Sequence, residues 1–336
     1  MSNIRFLIIG AQKSGTTSLF EYLRCHPGIH MPPEKEIGFF HVARCYRRGW
    51  ESYLAAVTHG AARDAVCGEA SVGYMSGTPF GDIVENEHWS ASVSLRCSGQ
   101  LEEIVPRRIK KLLPEVRLIC VLRDPVTRAY SHYRMEVLDK VESRSFEAAI
   151  DQALEPKAMA HARMAPTRRN SYVVNGEYGR ILGGFLRVFP SEQLLVVTSD
   201  ELSERPSETL AGVFEFIDVA GDFVPANLST RYREAAVEQR ITGLNLYDWQ
   251  IKLARVPVAR AIWRALPDSA CRRVDRTYNA ASYNIVMWNA RRGVGSGDVP
   301  PLVRERLIAH FRPDSEALGD MLERDMPWLK TWDLNP

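Results

Sequence analysis

The chain has 336 residues, 45% of them hydrophobic and 25% charged, with a formal net charge of +2. These values are ordinary for a folded globular protein, and the small net charge does not point to a general nucleic-acid binder, so any anion site must come from local clusters of Arg and Lys. No apolar run approaches the length of a membrane span, and the first residues lack a basic segment followed by a secretory hydrophobic one.

Residues 5–9 form a short apolar run that reads as a strand and ends at the stretch GAQKSGTT, Gly10 to Thr17. Gly10 and Gly15 keep the four-residue gap of a nucleotide phosphate loop, but Lys13 stands between them and Thr16 takes the usual lysine slot. The next residues, to 24, carry Leu19, Phe20 and Leu23 at helical spacing until His26-Pro27-Gly28 stops them. Strand, glycine loop and helix together offer backbone N–H groups and a helix N-terminus to an anion. Lys13 adds a mobile charge, and Ser14, Thr16 and Thr17 add hydroxyls.

Further along, residues 65–69 read as a second short strand and 102–113 as a helix ended by Pro114. Residues 116–122 are nearly all apolar and rich in Val and Ile, as expected of a strand buried on both faces. Asp124-Pro125 follows as an N-cap and a first-turn proline, opening a helix to about residue 139. A helix over 180–189, a strand over 194–198 and a helix over 206–217 continue the alternation. The expected fold class is therefore α/β: a parallel sheet covered by helices on both faces. Residues 74–100, rich in Gly, Ser and polar residues, read as an insertion or mobile loop. Residues 240–290, with Trp249, Trp263 and Trp288, read as a helical cover. The six cysteines are scattered, with no C-x-x-C pair, and read as reduced thiols of a cytoplasmic protein.

A second constellation is VLRDPVTRAYSHY, Val121 to Tyr133. Arg123 falls at the carboxyl end of the buried strand, where ligands of open α/β sheets bind. Arg128 and Ser131, three apart on the following helix, share a face. Two separate phosphate sites suit a nucleotide phosphorylated at both ends.

At this point the chain resembles the P-loop sulfotransferases that use 3′-phosphoadenosine-5′-phosphosulfate (PAPS). The first loop matches that family's 5′-phosphosulfate loop, in which the lysine precedes the second glycine as Lys13 does. R-D-P-x-x-R-x-x-S matches its 3′-phosphate motif. Glu34-Lys-Glu-Ile-Gly-Phe-Phe40 resembles the E-[IV]-x-F-F segment of the group that includes heparan-sulfate N- and 3-O-sulfotransferases, and the resemblance implies Glu36 as catalytic base. Gly68-Glu-Ala-Ser71 with Tyr74 resembles a segment beside the acceptor, implying Glu69, Ser71 and Tyr74 as substrate-binding residues. Gly176-Glu-Tyr178 resembles a G-x-Y whose tyrosine lies near the nucleotide. Arg291, Arg292 and Gly293 stand where the family has a basic loop closing over the nucleotide, before a helical stretch at 304–311. The sequence departs from the pattern at Ala70, where the heparan-sulfate enzymes have lysine, and at Val72, which replaces a proline.

The resemblance implies one sulfotransferase domain over 1–336, with a core at about 3–220, a helical cover at about 230–290 and the closing loop and helices at about 290–330. It implies transfer of a sulfuryl group from PAPS to a hydroxyl, less readily an amine, of a small-molecule, lipid or carbohydrate acceptor, with release of 3′-phosphoadenosine-5′-phosphate and no metal. Nucleic acid is not expected as a partner, nor is stable membrane insertion, and nothing in the sequence sets an oligomeric state. From composition alone Glu36 reads as a loop carboxylate facing water beside Lys35, and His41 is a rival base or a structural histidine. A magnesium-dependent kinase or ATPase, with Asp124 on the metal, is the first alternative; a non-catalytic nucleotide-binding protein is the second.

Overall fold

The computed structural model describes residues 4–76, 101–139, 141–228, 230 and 298–334. Five parallel strands form one sheet in the order β2-β3-β1-β4-β5. They are β1 (Ile4–Gly10), β2 (Ile29–His30), β3 (Val66–Ala70), β4 (Arg117–Leu122) and β5 (Leu194–Thr198). The expected strands are all present. β2 is added, and at two residues it is too short to carry any periodicity.

Successive side chains of a strand point to opposite faces, and the core divides accordingly. Leu7 and Ile9 of β1 join Leu118, Cys120 and Leu122 of β4 in one cluster, while Phe6 and Ile8 join Ile119 and Val121 in the other. Burial on both faces is why these two strands read as unbroken apolar runs. The helix after the glycine loop, α1 (Thr16–Arg24), supplies Leu19, Phe20 and Leu23 to the second cluster.

Between β2 and β3 lie α2 (Ala43–Arg47) and α3 (Trp50–Thr58). A 3-10 turn, Val72–Ser76, follows β3. The helix expected at 102–113 is divided into a 3-10 turn, Leu101–Glu103, and α4 (Ile104–Leu112). α5 (Pro125–Leu138) begins as expected, with the Asp124 carboxylate accepting from Val126 N at 3.0 Å. Then come α6 (Phe146–Leu154), α7 (Pro156–Met164), α8 (Tyr178–Leu186), α9 (Ser199–Glu204) and α10 (Pro206–Phe216). Near the C-terminus, α11 (Pro301–Leu322) is longer than the expected 304–311, and α12 (Pro327–Leu334) follows it. No described helix is long and apolar enough to cross a membrane. The helical cover expected at 240–290 lies outside the described residues, as does nearly all of 74–100.

The strand order fixes where a ligand goes. The chain leaves β1 toward the β2 side of the sheet and leaves β4 toward the β5 side, so the connections diverge between these adjacent strands. A crevice opens there at their carboxyl ends. Gly10–Thr17 starts from one of these ends and Arg123 from the other.

Candidate active site

The glycine loop is rooted in the sheet by Ala11 N, which donates to Val121 O at 2.8 Å. It then turns through two left-handed residues, Lys13 (φ 70) and Gly15 (φ 100). Gly15 occupies the N-cap of α1 and supplies no side-chain cap, and a helix N-terminus of this kind suits an anion. Ser14, Thr16 and Thr17 are all buried around this helix end.

At the end of β4, Arg123 Nε donates to Thr127 Oγ1 at 3.1 Å. Arg128 is fully buried. One of its terminal nitrogens donates to the Tyr172 carbonyl, while Nε and the other terminal nitrogen meet no hydrogen-bond acceptor among the described residues. Burial, with Arg123 nearby, works against its charge, and Tyr178 supports it. A buried guanidinium with donors to spare is what a phosphate ester would satisfy. Ser131 is half-buried, three residues further along α5.

Tyr178 joins the two halves. Its phenol donates to the Arg123 carbonyl at 3.0 Å. Burial pushes its pKa up to about 12, with Arg128 and the Ser14 hydroxyl opposing that rise. Tyr178 is positioned from a distance: Asp314 of α11 accepts from Gly179 N and Arg180 N, both at 2.8 Å, across the start of α8. Gly179 is required there, because a Cβ would come within 2.4 Å of Asp314 O.

On the other side of the loop a cleft of about 290 Å³ is lined by residues that include Gln12, Glu36, His41, Val72, Met75 and Asn175. Glu36 holds φ 66, an uncommon conformation for a side-chain-bearing residue. Its backbone N donates to Ala70 O at 2.8 Å, and its Oε2 accepts from Val72 N at 3.0 Å. The departure at Val72 therefore has a consequence, since a proline there would have no N–H to give. Glu36 Oε1 lies 3.2 Å from Lys35 Nζ. Lys35 is itself buried and donates to Thr16 Oγ1 at 3.0 Å and Thr17 Oγ1 at 3.5 Å.

Three expected acceptor contacts lie behind the cleft wall instead of in it. Glu69, Ser71 and Tyr74 are fully buried. The Ser71 hydroxyl donates to the Glu69 carboxylate and accepts from Gly38 N at 2.9 Å, which braces the turn just after Glu36. Burial raises the Glu69 pKa to about 7, against the Ser71 and Tyr74 hydroxyls. His41 packs edge-on to Tyr74 with ring centroids 5.3 Å apart. Burial, aided by Arg108, drives its pKa down to about 3, so its imidazole is neutral.

Gly10, Lys13, Ser14, Gly15, Thr16 and Thr17 thus follow the end of β1 and Arg123 the end of the adjacent β4, with Arg128 and Ser131 on α5, Tyr178 bonded to the Arg123 carbonyl, and Glu36 and His41 lining the adjoining cleft. Arg291, Arg292 and Gly293 lie outside the described residues. Sequence reasoning passed over three residues. Lys35 was hidden among charged neighbours, and Asn175 sits one position before the G-x-Y it noticed. His132, the residue after Ser131, is buried close enough to Lys13 and Arg128 for both to oppose its protonation, though burial is the larger cause of its fall to about 4.

A family model, the sulfotransferase family, matches residues 5–222. Among relatives, a heparan sulfate glucosamine 3-O-sulfotransferase 6 of Mus musculus is 31% identical over 63% of this chain and 51% of that protein. A bifunctional heparan sulfate N-deacetylase/N-sulfotransferase 2 of Bos taurus is 28% identical over 64% of this chain and 22% of that protein. The chain thus matches about half of one of these relatives and under a quarter of the other. A sulfotransferase structure from Alicyclobacillus acidocaldarius overlays 96% of this chain and 97% of its own with a TM-score of 0.61 at 22% identity, a likeness of fold. With the family model spanning both the glycine loop and the β4 motif, the chain belongs to the sulfotransferase family.

Proposed function

We propose that this protein transfers the sulfuryl group of PAPS to a hydroxyl of a carbohydrate or other small acceptor, with Glu36 as general base. The observation that carries this reading is the seating of Glu36. Its carboxylate opens into the cleft while both oxygens are held, one by Val72 N–H and one by Lys35, the same lysine that contacts the donor-loop hydroxyls.

PAPS would supply a sulfuryl group on a good leaving phosphate. Arg123, Arg128, Ser131 and Tyr178 would grip its 3′-phosphate side. Lys13, Thr16, Thr17 and the α1 N-terminus would surround the 5′ side and stabilise charge on the departing phosphate oxygen. The acceptor oxygen attacks sulfur as the bond from sulfur to the phosphate oxygen breaks, and Glu36 takes the acceptor proton. Such reactions rest mainly on positioning and charge stabilisation. The relatives named for heparan sulfate favour a carbohydrate acceptor, while Ala70, in place of lysine, argues against a heparan-like one. Lipid-linked glycans and small natural products remain in the acceptor class. For the kinase alternative, Asp124 would have to serve a metal, yet its carboxylate is engaged as the cap of α5.

Thermal unfolding with 3′-phosphoadenosine-5′-phosphate, and separately with ATP and Mg²⁺, tests the reading. A ligand at a hundred times its Kd stabilises by about 2.7 kcal/mol. The expected result is a rise in midpoint with the bisphosphate that Arg123→Ala abolishes. A rise with ATP and Mg²⁺ alone would overturn the proposal. A positive result leads to a screen of hydroxylated acceptors.

A further inference from the structure

We propose that Lys35 links the donor loop to the base, so that occupation of the loop and the readiness of Glu36 are coupled through one buried ammonium group. This rests on the sulfuryl-transfer reading above.

An ammonium group has three N–H donors and no acceptor. Around the Lys35 Nζ lie Thr16 Oγ1 at 3.0 Å, Thr17 Oγ1 at 3.5 Å and Glu36 Oε1 at 3.2 Å. Its side chain is only 5% exposed, against 43% for Glu36. The charge therefore sits inside the protein and reaches both sites from behind. Lys35 directly precedes Glu36, yet it points back under the loop while Glu36 faces the cleft. The left-handed backbone at Glu36 accompanies this divergence.

Two effects follow for the loop. A threonine oxygen that accepts from an ammonium keeps its own O–H free to donate elsewhere. Lys35 thus turns the Thr16 and Thr17 hydroxyls into donors, polarised by the charge behind them, at the N-terminus of α1. It also places a positive charge in a second layer beneath an expected polyanion, where water screens it little. A third effect concerns the base. An anionic donor on the loop competes with Glu36 for the same ammonium, loosening the hold on Oε1 and leaving that oxygen free to turn toward an acceptor in the cleft. Such coupling is reciprocal: the charge on Glu36 must also alter donor affinity, and Lys35 must carry that effect.

The test is a set of affinities for 3′-phosphoadenosine-5′-phosphate, measured by calorimetry on the full chain. Lys35→Met, Thr16→Val and Glu36→Gln are compared singly, with Lys35→Met then combined with each of the others. Lys35→Met is expected to weaken binding by about tenfold or more, the scale of one charge-assisted hydrogen bond. It should combine non-additively, by more than about twofold, with both Thr16→Val and Glu36→Gln. A lysine with a purely structural role would leave both cycles additive, and that result overturns the inference. Lys35→Gln, which also removes the charge, replaces the methionine chain if the latter does not fold, with the same non-additivity expected. The donor assignment itself falls if the wild-type chain binds no bisphosphate. If the wild type binds and Lys35→Met binds equally well, only the role of Lys35 falls.

Discussion

Tyr178 donates its phenol to the main-chain carbonyl of Arg123 at 3.0 Å, fastening the first residue of α8 to the end of β4. The tyrosine is fully buried, so Tyr178→Phe leaves that carbonyl short of a partner inside the protein. The expected cost is about 1–3 kcal/mol of stability. Arg123 should also lose its fixed position, with bisphosphate affinity falling about tenfold. Calorimetric titration beside thermal unfolding checks both. A loss of stability with unchanged affinity would show that the bond serves only packing between α8 and β4.

Arg128 leads to a prediction of opposite sign for the unliganded chain. Its charge is buried, with two nitrogens lacking acceptors among the described residues, an arrangement that costs stability. Arg128→Met, similar in length and uncharged, should leave the unliganded midpoint unchanged or raise it. The same variant should cut the stabilisation by bisphosphate to a small remnant. If Arg128→Met lowers the unliganded midpoint by several degrees, the arginine is instead a structural support for the Tyr172 carbonyl.

Much of this site was legible because its chemistry sits at strand ends, where the sequence changes character abruptly. Phe6–Ile9 gives way to Gly10, and Val116–Leu122 gives way to Arg123-Asp124-Pro125. What stayed hidden depends on direction, which sequence spacing does not carry across a loop. Glu34, Lys35 and Glu36 look like one solvated charge run, yet Lys35 turns inward to Thr16 while Glu36, with a left-handed backbone, lines the cleft. Glu69 matched a motif beside the acceptor, but it is enclosed with Ser71 behind the cleft wall. A missed helix had its own signal. In α6, Ser145 accepts from Ala148 N at 3.2 Å, and Phe146, Ala149, Ile150 and Ala153 repeat at helical spacing.

Glu36 and His41 share the cleft and separate under mutation. Glu36→Gln keeps the shape and removes the base, so turnover on an identified acceptor should fall by about 10²–10⁴-fold. His41 is neutral through the ordinary assay range and packed against Tyr74. Its chemistry as a base therefore has to be judged by the pH profile. His41→Gln should lower the rate less than Glu36→Gln and leave the acid limb of kcat/KM in place. An acid limb that disappears in His41→Gln and survives in Glu36→Gln would reverse the assignment.

A bank of buried groups sets the pH range over which the site stays folded. His41 and His132 are depressed by burial from 6.5 to about 3 and about 4. Their contribution is complete above pH 6.5 and is lost as pH falls through those lower values. Glu69 has the opposite sign. Burial raises it from 4.5 to about 7, so its contribution is complete below pH 4.5 and is lost as pH rises through about 7. That gap corresponds to a loss on the order of 3 kcal/mol on the alkaline side. Glu69→Gln stays neutral and still offers an oxygen to the Ser71 hydroxyl. The wild-type thermal midpoint should therefore lose ground to Glu69→Gln as pH rises from about 4.5 to 7 and keep a constant gap above that, with the two curves converging toward pH 4.5. Parallel curves across the whole range would mean that Glu69 is not the group whose ionisation opposes folding at high pH.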